Sequence, residues 1–282
     1  MPSLRLTLAL CATALPCVNV NAADDLPPDE TIRWNTPDRE AAPGLVHGSF
    51  RSDAMKLEVG YNVWLPPGYE QSQARYPVVY FLHGAGGNEN SDAAAFAGLV
   101  AEFVRARVIP PVICVFPNGG HRSWYRDHPG KNVLVETMII RELLPLVDRT
   151  YRTQPGREAR VVLGFSMGGS GAVRFAVKYP DLFSAAGAWA GAFAGRHNEK
   201  LADDFQAEAL APLAGRTRLL LIAGTKDFTL AGHALMVNSL VNAKVPFEVE
   251  ALLDVPHDPG AYYQHSGEKM VRFLTKGFAP AK

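Results

Sequence analysis

Residues 160–171 read Arg160-Val-Val-Leu-Gly-Phe-Ser-Met-Gly-Gly-Ser-Gly171. The apolar run at 161–163 predicts a buried strand, and residues 169–179 predict a helix that begins almost at once. Between them Gly164-Phe165-Ser166-Met167-Gly168 fits Gly-x-Ser-x-Gly. In a strand–turn–helix setting this pattern is a nucleophile elbow. The tight turn holds the central serine in a sparsely populated backbone conformation, and glycines on either side leave room for neighbouring backbone. Ser166 is therefore expected to stand clear of a sheet, its hydroxyl presented to a reacting carbonyl. The competing reading is a Gly/Ser-rich loop that matches a loose pattern by chance. It leaves the strand before and the helix after without a reason.

Outward from the elbow, strand and helix patterns alternate. Residues 45–51 and 56–65 read as strands; in the second, Leu57, Val59, Tyr61 and Val63 share one face, predicting an antiparallel pair at a sheet edge. Pro66-Pro67-Gly68-Tyr69 ends it, because proline cannot donate to a ladder. Residues 76–82, 111–116, 183–189, 217–223 and 247–253 are further strand candidates. Helices are expected at 93–107, 133–151 (with Pro145 as a kink), 231–243 and 264–278, and loops at 121–131 and 190–216. This order implies βαβ units: a mostly parallel central sheet with an antiparallel N-terminal edge and helices on both faces. No internal repeat or low-complexity linker divides the body.

The chain has 282 residues, 48% hydrophobic and 20% charged, which suits one large α/β domain. Lys+Arg and Asp+Glu both number 28, so no basic face of the kind that binds nucleic acid is indicated. The N-terminus reads as a signal peptide over 1–22: Arg5, an apolar run at 6–15, and Val20-Asn21-Ala22 before a cleavage point at Ala23. A periplasmic or secreted location is expected, without a membrane span in the mature chain. Residues 23–43, polar and proline-bearing, read as an extended leader with little structure of its own, and 44–282 as the folded domain. Cys11 and Cys17 would leave with the signal, so the mature chain would keep Cys114 alone, in an apolar strand, and no internal disulfide.

In a parallel sheet of this kind, reacting groups gather beyond the carboxyl ends of the strands. Four segments meet that condition: His83-Gly84-Ala85-Gly86-Gly87, Ser166, Asp227 and His257. The order Ser, Asp, His is that of an α/β-hydrolase triad. A serine hydroxyl needs a base, which neutral imidazole supplies near neutral pH; the imidazolium then needs a carboxylate on its other nitrogen. His257 is assigned the base and Asp227 the acid, with Asp254 and Asp258 as alternatives for the latter. The oxyanion is expected to meet the Met167 amide and one from the His83 turn, for which Ala85 is the candidate. His83 itself is expected to hold that turn by local hydrogen bonds. No His-Glu-x-x-His or His-x-x-x-His spacing occurs and no phosphate-binding glycine motif fits, so no metal and no cofactor is expected. Trp124, Tyr125 and Trp189 lie in or beside the loops around the site and are candidate substrate contacts; Phe193, Tyr262 and Tyr263 share that position.

The chain resembles the esterase D-like family of α/β-hydrolases, which includes feruloyl and acetylxylan esterases, S-formylglutathione hydrolases, enterochelin esterases and mycolyltransferases. The likeness rests on Trp64-Leu65-Pro66-Pro67-Gly68-Tyr69, on residues 76–84 ending in His83-Gly84, on Val115-Phe116-Pro117-Asn118-Gly119, on Glu142-Leu143-Leu144-Pro145-Leu146-Val147-Asp148, and on the elbow. It spans roughly residues 44–278. The resemblance implies the α/β-hydrolase fold and places Ser166, Asp227 and His257 at the nucleophile, acid and base positions. One departure is His257-Asp258-Pro259-Gly260, where many members carry an aromatic segment such as His-x-Trp. The expectation is an exported serine carboxylester hydrolase acting on a small-molecule or polysaccharide-linked ester, a short acyl or feruloyl ester of a carbohydrate being favoured. Acyl transfer to another alcohol, and a non-catalytic binding protein on the same scaffold, are the alternatives.

Overall fold

The computed structural model describes residues 32–37, 43–194 and 200–278. The expected signal peptide, most of the leader, Cys11, Cys17 and His197 lie outside the described residues. The elements run β1 (Leu45–Arg51), β2 (Glu58–Trp64), β3 (Val78–Leu82), α1 (Ala93–Arg105), β4 (Ile113–Pro117), and a two-residue hairpin of β5 (Asp127–His128) and β6 (Val133–Leu134). A helix follows as α2 (Val135–Thr137), a π-helical stretch (Met138–Leu143) and α3 (Leu144–Thr150). Then come β7 (Arg160–Phe165), α4 (Met167–Lys178), β8 (Ala185–Trp189), α5 (Ala207–Leu210), β9 (Arg218–Gly224), α6 (Leu230–Asn242), β10 (Glu248–Leu252) and α7 (Pro259–Thr275).

Eight strands form one sheet in the order β1-β2-β4-β3-β7-β8-β9-β10. The β1–β2 and β2–β4 pairs are antiparallel and all later neighbours are parallel, so the expected antiparallel N-terminal edge and parallel centre are both present. The central strands β3, β4, β7 and β8 are buried along their whole length, because helices cover both faces. Alternate residues divide between two cores. Val78, Tyr80 and Leu82 join one with Phe175 of α4 and Met236 of α6; Val79 and Phe81 join the other with Phe96 of α1 and Met270 of α7. Cys114 sits fully buried in the second core, where loss of solvation pushes its thiol far above the ordinary range and leaves it an inert packing group.

Three differences from the sequence expectation have physical causes. The helix is not regular up to Pro145: a π-helical stretch precedes α3, and Pro145, the second residue of α3, falls directly after this break in the i→i−4 ladder, where a residue without an N–H is accommodated. The last helix begins at Pro259 rather than 264, because Asp258 caps it, its carboxylate accepting the Ala261 amide at 2.7 Å, and Pro259 is pre-set for the first helical position. In the leader, the described residues 32–37 are bound to the domain. The Trp34 carbonyl accepts the Gly60 amide at 2.7 Å, Asn118 donates to the Arg33 carbonyl at 2.9 Å, and the Trp34 ring is buried against Gly120. No helix among the described residues is long and apolar enough to cross a membrane.

Candidate active site

β7 delivers Phe165, and α4 starts at Met167, so a single residue makes the turn. That residue, Ser166, has φ 56° and ψ −116°, a left-handed conformation that a side chain rarely adopts. The strain is held by neighbours: the Ser166 amide donates to the Trp189 carbonyl at 2.9 Å, and its carbonyl accepts from Ala192 and Ser170 at 3.1 Å each. The flanking glycines are required by contact. A Cβ at Gly168 would stand 1.8 Å from the Leu82 carbonyl oxygen, and one at Gly164 would stand 2.3 Å from the Gly168 carbonyl carbon.

The loops after β9 and β10 bring the partners. His257 Nε2 lies 3.0 Å from Ser166 Oγ, and its Nδ1 lies 2.9 Å from both Asp227 oxygens. With the carboxylate accepting from Nδ1–H, Nε2 is left as the acceptor for the serine hydroxyl. Asp227 is 4% exposed and receives more donors: the Thr229 amide (2.8 Å) and hydroxyl (2.7 Å) on Oδ1, and the Tyr262 hydroxyl (2.8 Å) on Oδ2. Burial alone would push this carboxyl up. The hydrogen bonds from His257, Thr229 and Tyr262 outweigh it and hold the group below its ordinary value, so it stays ionised. The alternative carboxylates are committed elsewhere. Asp254 pairs with Lys226 at 3.0 Å in an exposed bridge, and Asp258 is the α7 cap.

The turn after β3 lies against the elbow: a Cβ at Gly84 would come 3.5 Å from Ser166 Cβ. His83, buried, fixes it. Its Nδ1–H donates to the Gly84 carbonyl at 2.8 Å, and its Nε2 accepts the Gly119 amide at 2.9 Å. The Gly86 amide is taken by the His121 carbonyl (2.7 Å) and that of Gly87 by Gly84 (3.1 Å), whereas no acceptor among the described residues takes the amide of Ala85. Met167 opens α4, so its amide has no intrahelical acceptor either. The Met167 amide follows Ser166 directly in the chain, and the Ala85 amide belongs to the turn that packs against the elbow.

A family model described as "Putative esterase" matches residues 52–268, most of the chain. The chain belongs to this esterase family. An esterase of Mycobacterium tuberculosis is 36% identical over 155 residues, covering 54% of this chain and 33% of the relative. An endo-1,4-beta-xylanase/feruloyl esterase of Xylanibacter ruminicola is 33% identical over 130 residues, 43% of this chain and 18% of the relative. The chain thus matches about a third or less of the length of these curated relatives. A solved ferulic acid esterase superposes with a TM-score of 0.72 at 24% identity, covering 83% of this chain and 98% of the other. An S-formylglutathione hydrolase from Agrobacterium tumefaciens does so at 0.69 and 18% identity, covering 87% and 100%. These likenesses establish the α/β-hydrolase fold of this family member.

Of the aromatic residues that sequence placed around the site, most turn out to be core. Trp189 is fully buried in β8, its indole N–H donating to Ser266 at 2.9 Å. Tyr125 is fully buried, its hydroxyl donating to the His83 carbonyl at 3.1 Å, so it braces the turn from below. Phe193 packs on Phe205, and Tyr262 is spent on Asp227. These are corrections to the substrate-contact expectation; loop position said where the residues are, not which way they face. Trp124 differs. It is half-buried and packed against the core, and its main chain lies beside the elbow, the amide 3.4 Å from Met167 Sδ and the carbonyl accepting from Arg174 at 2.7 Å. Among the described residues, no three His, Cys, Asp or Glu side chains group as metal ligands.

Sequence reading missed Tyr262 as the brace of Asp227. Its hydroxyl donates to Asp227 Oδ2 and accepts the Gly224 amide at 2.6 Å. Its place one turn into a helix opened by Asp258-Pro259 was the available signal. In Tyr262→Phe, a buried carboxylate loses a donor and a buried amide its acceptor. The expected result is a loss of about 2–4 kcal/mol in unfolding free energy, read from urea denaturation at pH 7.5.

Two histidines make the fold acid-sensitive. Burial lowers His83 to about 4, and burial lowers His233, whose ring nitrogens have no hydrogen-bond partner among the described residues and whose ring lies 4.9 Å from Phe193, to about 4 as well. Each is neutral when folded and protonates near 6.5 when unfolded, so the unfolded chain binds more protons below that pH. Stability is therefore full above 6.5 and falls as pH drops toward 4, by about 3 kcal/mol for each histidine. Asp227, held low, adds a further loss below the ordinary carboxylate value. Urea midpoints at pH 7.5, 5.5 and 4.5 should fall in order, and His233→Leu should flatten the decline.

Proposed function

We propose that this chain is an exported serine carboxylester hydrolase working through an acyl-enzyme. The observation that carries the reading is the relay from Ser166 Oγ to His257 Nε2 at 3.0 Å and from Nδ1 to Asp227 at 2.9 Å, set on a strained elbow. Ser166 Oγ attacks the ester carbonyl carbon while His257 Nε2 takes its proton. Asp227 holds the imidazole tautomer and faces the imidazolium that forms. The carbonyl oxygen becomes an anion, and the amides of Met167 and Ala85 are the donors suited to receive it. Losing one such donor costs about 2.7–4 kcal/mol of transition-state stabilisation. The C–O bond to the alcohol then breaks as His257 returns the proton to the leaving oxygen. Water repeats the sequence on the acyl-enzyme.

The favoured substrate is a short acyl or feruloyl ester of a carbohydrate. Family membership and the match to a xylanase/feruloyl esterase support that class. Half-buried Trp124 is the candidate substrate contact from the 121–131 loop. Export rests on residues 1–22 and is checked by cell fractionation and by the N-terminus of the mature protein, expected at Ala23. The activity is tested with the chain from Ala23 onward on p-nitrophenyl acetate, methyl ferulate and an acetylated xylo-oligosaccharide. Release of free acid is the expected result. Folded protein that turns over none of the three overturns the reading, and acyl transfer to an added sugar in place of water redefines it as a transferase.

A further inference from the structure

An amide can serve as an oxyanion donor only if the turn that carries it is held still, since such a donor must sit about 2.7–3.1 Å from the place where the anion forms. Two of the bonds that fix the turn carrying Ala85 run to the segment after β4. His83 Nε2 accepts the Gly119 amide at 2.9 Å, and the Gly86 amide donates to the His121 carbonyl at 2.7 Å. The position of the Ala85 amide therefore depends on where residues 118–121 lie.

Residues 33–36 of the leader hold that segment. The buried Trp34 ring packs on Gly120, where an added Cβ would stand 2.5 Å from its Cη2. Asn118, fully buried, donates to the Arg33 carbonyl at 2.9 Å and to Glu89 Oε2 at 2.6 Å, while its Oδ1 accepts the Gly120 amide at 3.0 Å. Glu89, also fully buried, lies two residues past the turn, and its Oε1 accepts the Thr36 amide at 2.5 Å. Asn90 beside it donates to the Thr36 carbonyl at 2.7 Å and hydroxyl at 2.9 Å. The Gly60 amide, on the Trp34 carbonyl at 2.7 Å, anchors the same stretch to β2. Four leader residues thus tie together the continuation of the oxyanion turn at 89–90 and its support at 118–121. Without them Gly120 loses its cover and buried Glu89 Oε1 loses a donor, and a buried acceptor left unmet forces its surroundings to shift. A strap that only added stability would not need to meet both supports of one turn.

We propose that residues 33–36 are a strap that positions the oxyanion turn, with Trp34 as its anchor, so that the leader sets the rate of the chemical step. The proposal rests on the esterase reading above and adds Trp34 as a positioning residue that acts through Gly120. It is tested with Trp34→Ala in the chain from Ala23 onward, shown to be folded by circular dichroism. On p-nitrophenyl acetate kcat should fall by about tenfold, with KM within about threefold and the pH dependence of the rate unmoved, because the relay to Ser166 is untouched. Amide exchange read by mass spectrometry should quicken in peptides covering 83–91 and 118–121 and stay as in wild type across β7. Trp34→Phe, which keeps a flat ring of shorter reach, should recover part of the rate. Where Trp34→Ala does not fold, Trp34→Leu, which keeps an apolar side chain there, is read by the same criteria. A fall in kcat of less than about threefold in the folded variant, or exchange that is unchanged in 83–91 and 118–121 or quickened equally across the sheet, overturns the strap. In either case wild-type turnover leaves the esterase reading standing. Folded wild-type protein that is inactive and unlabelled by a fluorophosphonate overturns the esterase reading, and the catalytic role of the strap with it.

Discussion

Ser166→Ala is expected to reduce kcat on p-nitrophenyl acetate by roughly 10⁵–10⁶-fold while leaving the fold intact. Removing the oxygen removes the acyl-enzyme route altogether, and what remains is hydrolysis by positioned water next to the oxyanion donors. The size of the effect follows from how the residue is built in. Ser166 is held at φ 56° by its contacts to Trp189, Ala192 and Ser170, and a Cβ is already present, so alanine inherits the same turn. The backbone bonds that define the elbow all involve main-chain atoms, and none is lost. Circular dichroism and urea midpoints should therefore match wild type within about 1 kcal/mol, and the loss of rate belongs to the hydroxyl.

Asp227→Asn is expected to lower kcat by about 10⁴-fold near neutral pH. The carboxylate now accepts from His257 Nδ1, Thr229 twice and Tyr262, a set of four donors and no competing proton. An asparagine offers one oxygen and one NH₂ group to the same donors. Its NH₂ favours an imidazole with Nδ1 as acceptor and the proton on Nε2, the tautomer that cannot take a proton from Ser166. Because an NH₂ also faces at least one existing donor, the variant should lose stability as well, which Ser166→Ala should not. Asp258→Asn is the informative comparison. Asp258 lies next to His257 in sequence but serves as the α7 cap, a role asparagine fills. Its rate should fall less than tenfold. A larger loss there than at Asp227 would move the acid role to the alternative carboxylate.

Much of the site was legible because its chemistry constrains short stretches. Gly164 and Gly168 are fixed by contacts under 2.5 Å that no side chain tolerates, so the elbow leaves an unmistakable trace in five residues. Asp227 and His257 each follow a strand, and strand ends in a parallel sheet converge, so their meeting was deducible from order alone. The direction a loop side chain faces was not. Trp124 and Tyr125 are adjacent, both with positive φ (55° and 52°), yet one is left half-buried and the other is sealed in the core. That outcome depends on backbone conformations that sequence patterning does not register. Trp189 was misplaced for a simpler reason. It ends β8, and alternation in a strand covered on both faces buries either side. The binding of residues 32–37 was hidden too, since it rests on one tryptophan, on main-chain groups bonded to Gly60, Glu89, Asn90 and Asn118, and on the Asn35 and Thr36 side chains bonded to His47 and Asn90.

Covalent capture at Ser166 tests the central claim most directly. Folded wild-type protein, from Ala23 onward, is incubated with a fluorophosphonate probe at pH 7.5 and weighed intact, then mapped by peptide mass spectrometry. One probe adduct per chain on the peptide containing Ser166, and none on folded Ser166→Ala, is the predicted result. Folded wild-type protein that takes up no probe, or an adduct that persists in Ser166→Ala, would contradict the assignment of Ser166 as the activated nucleophile.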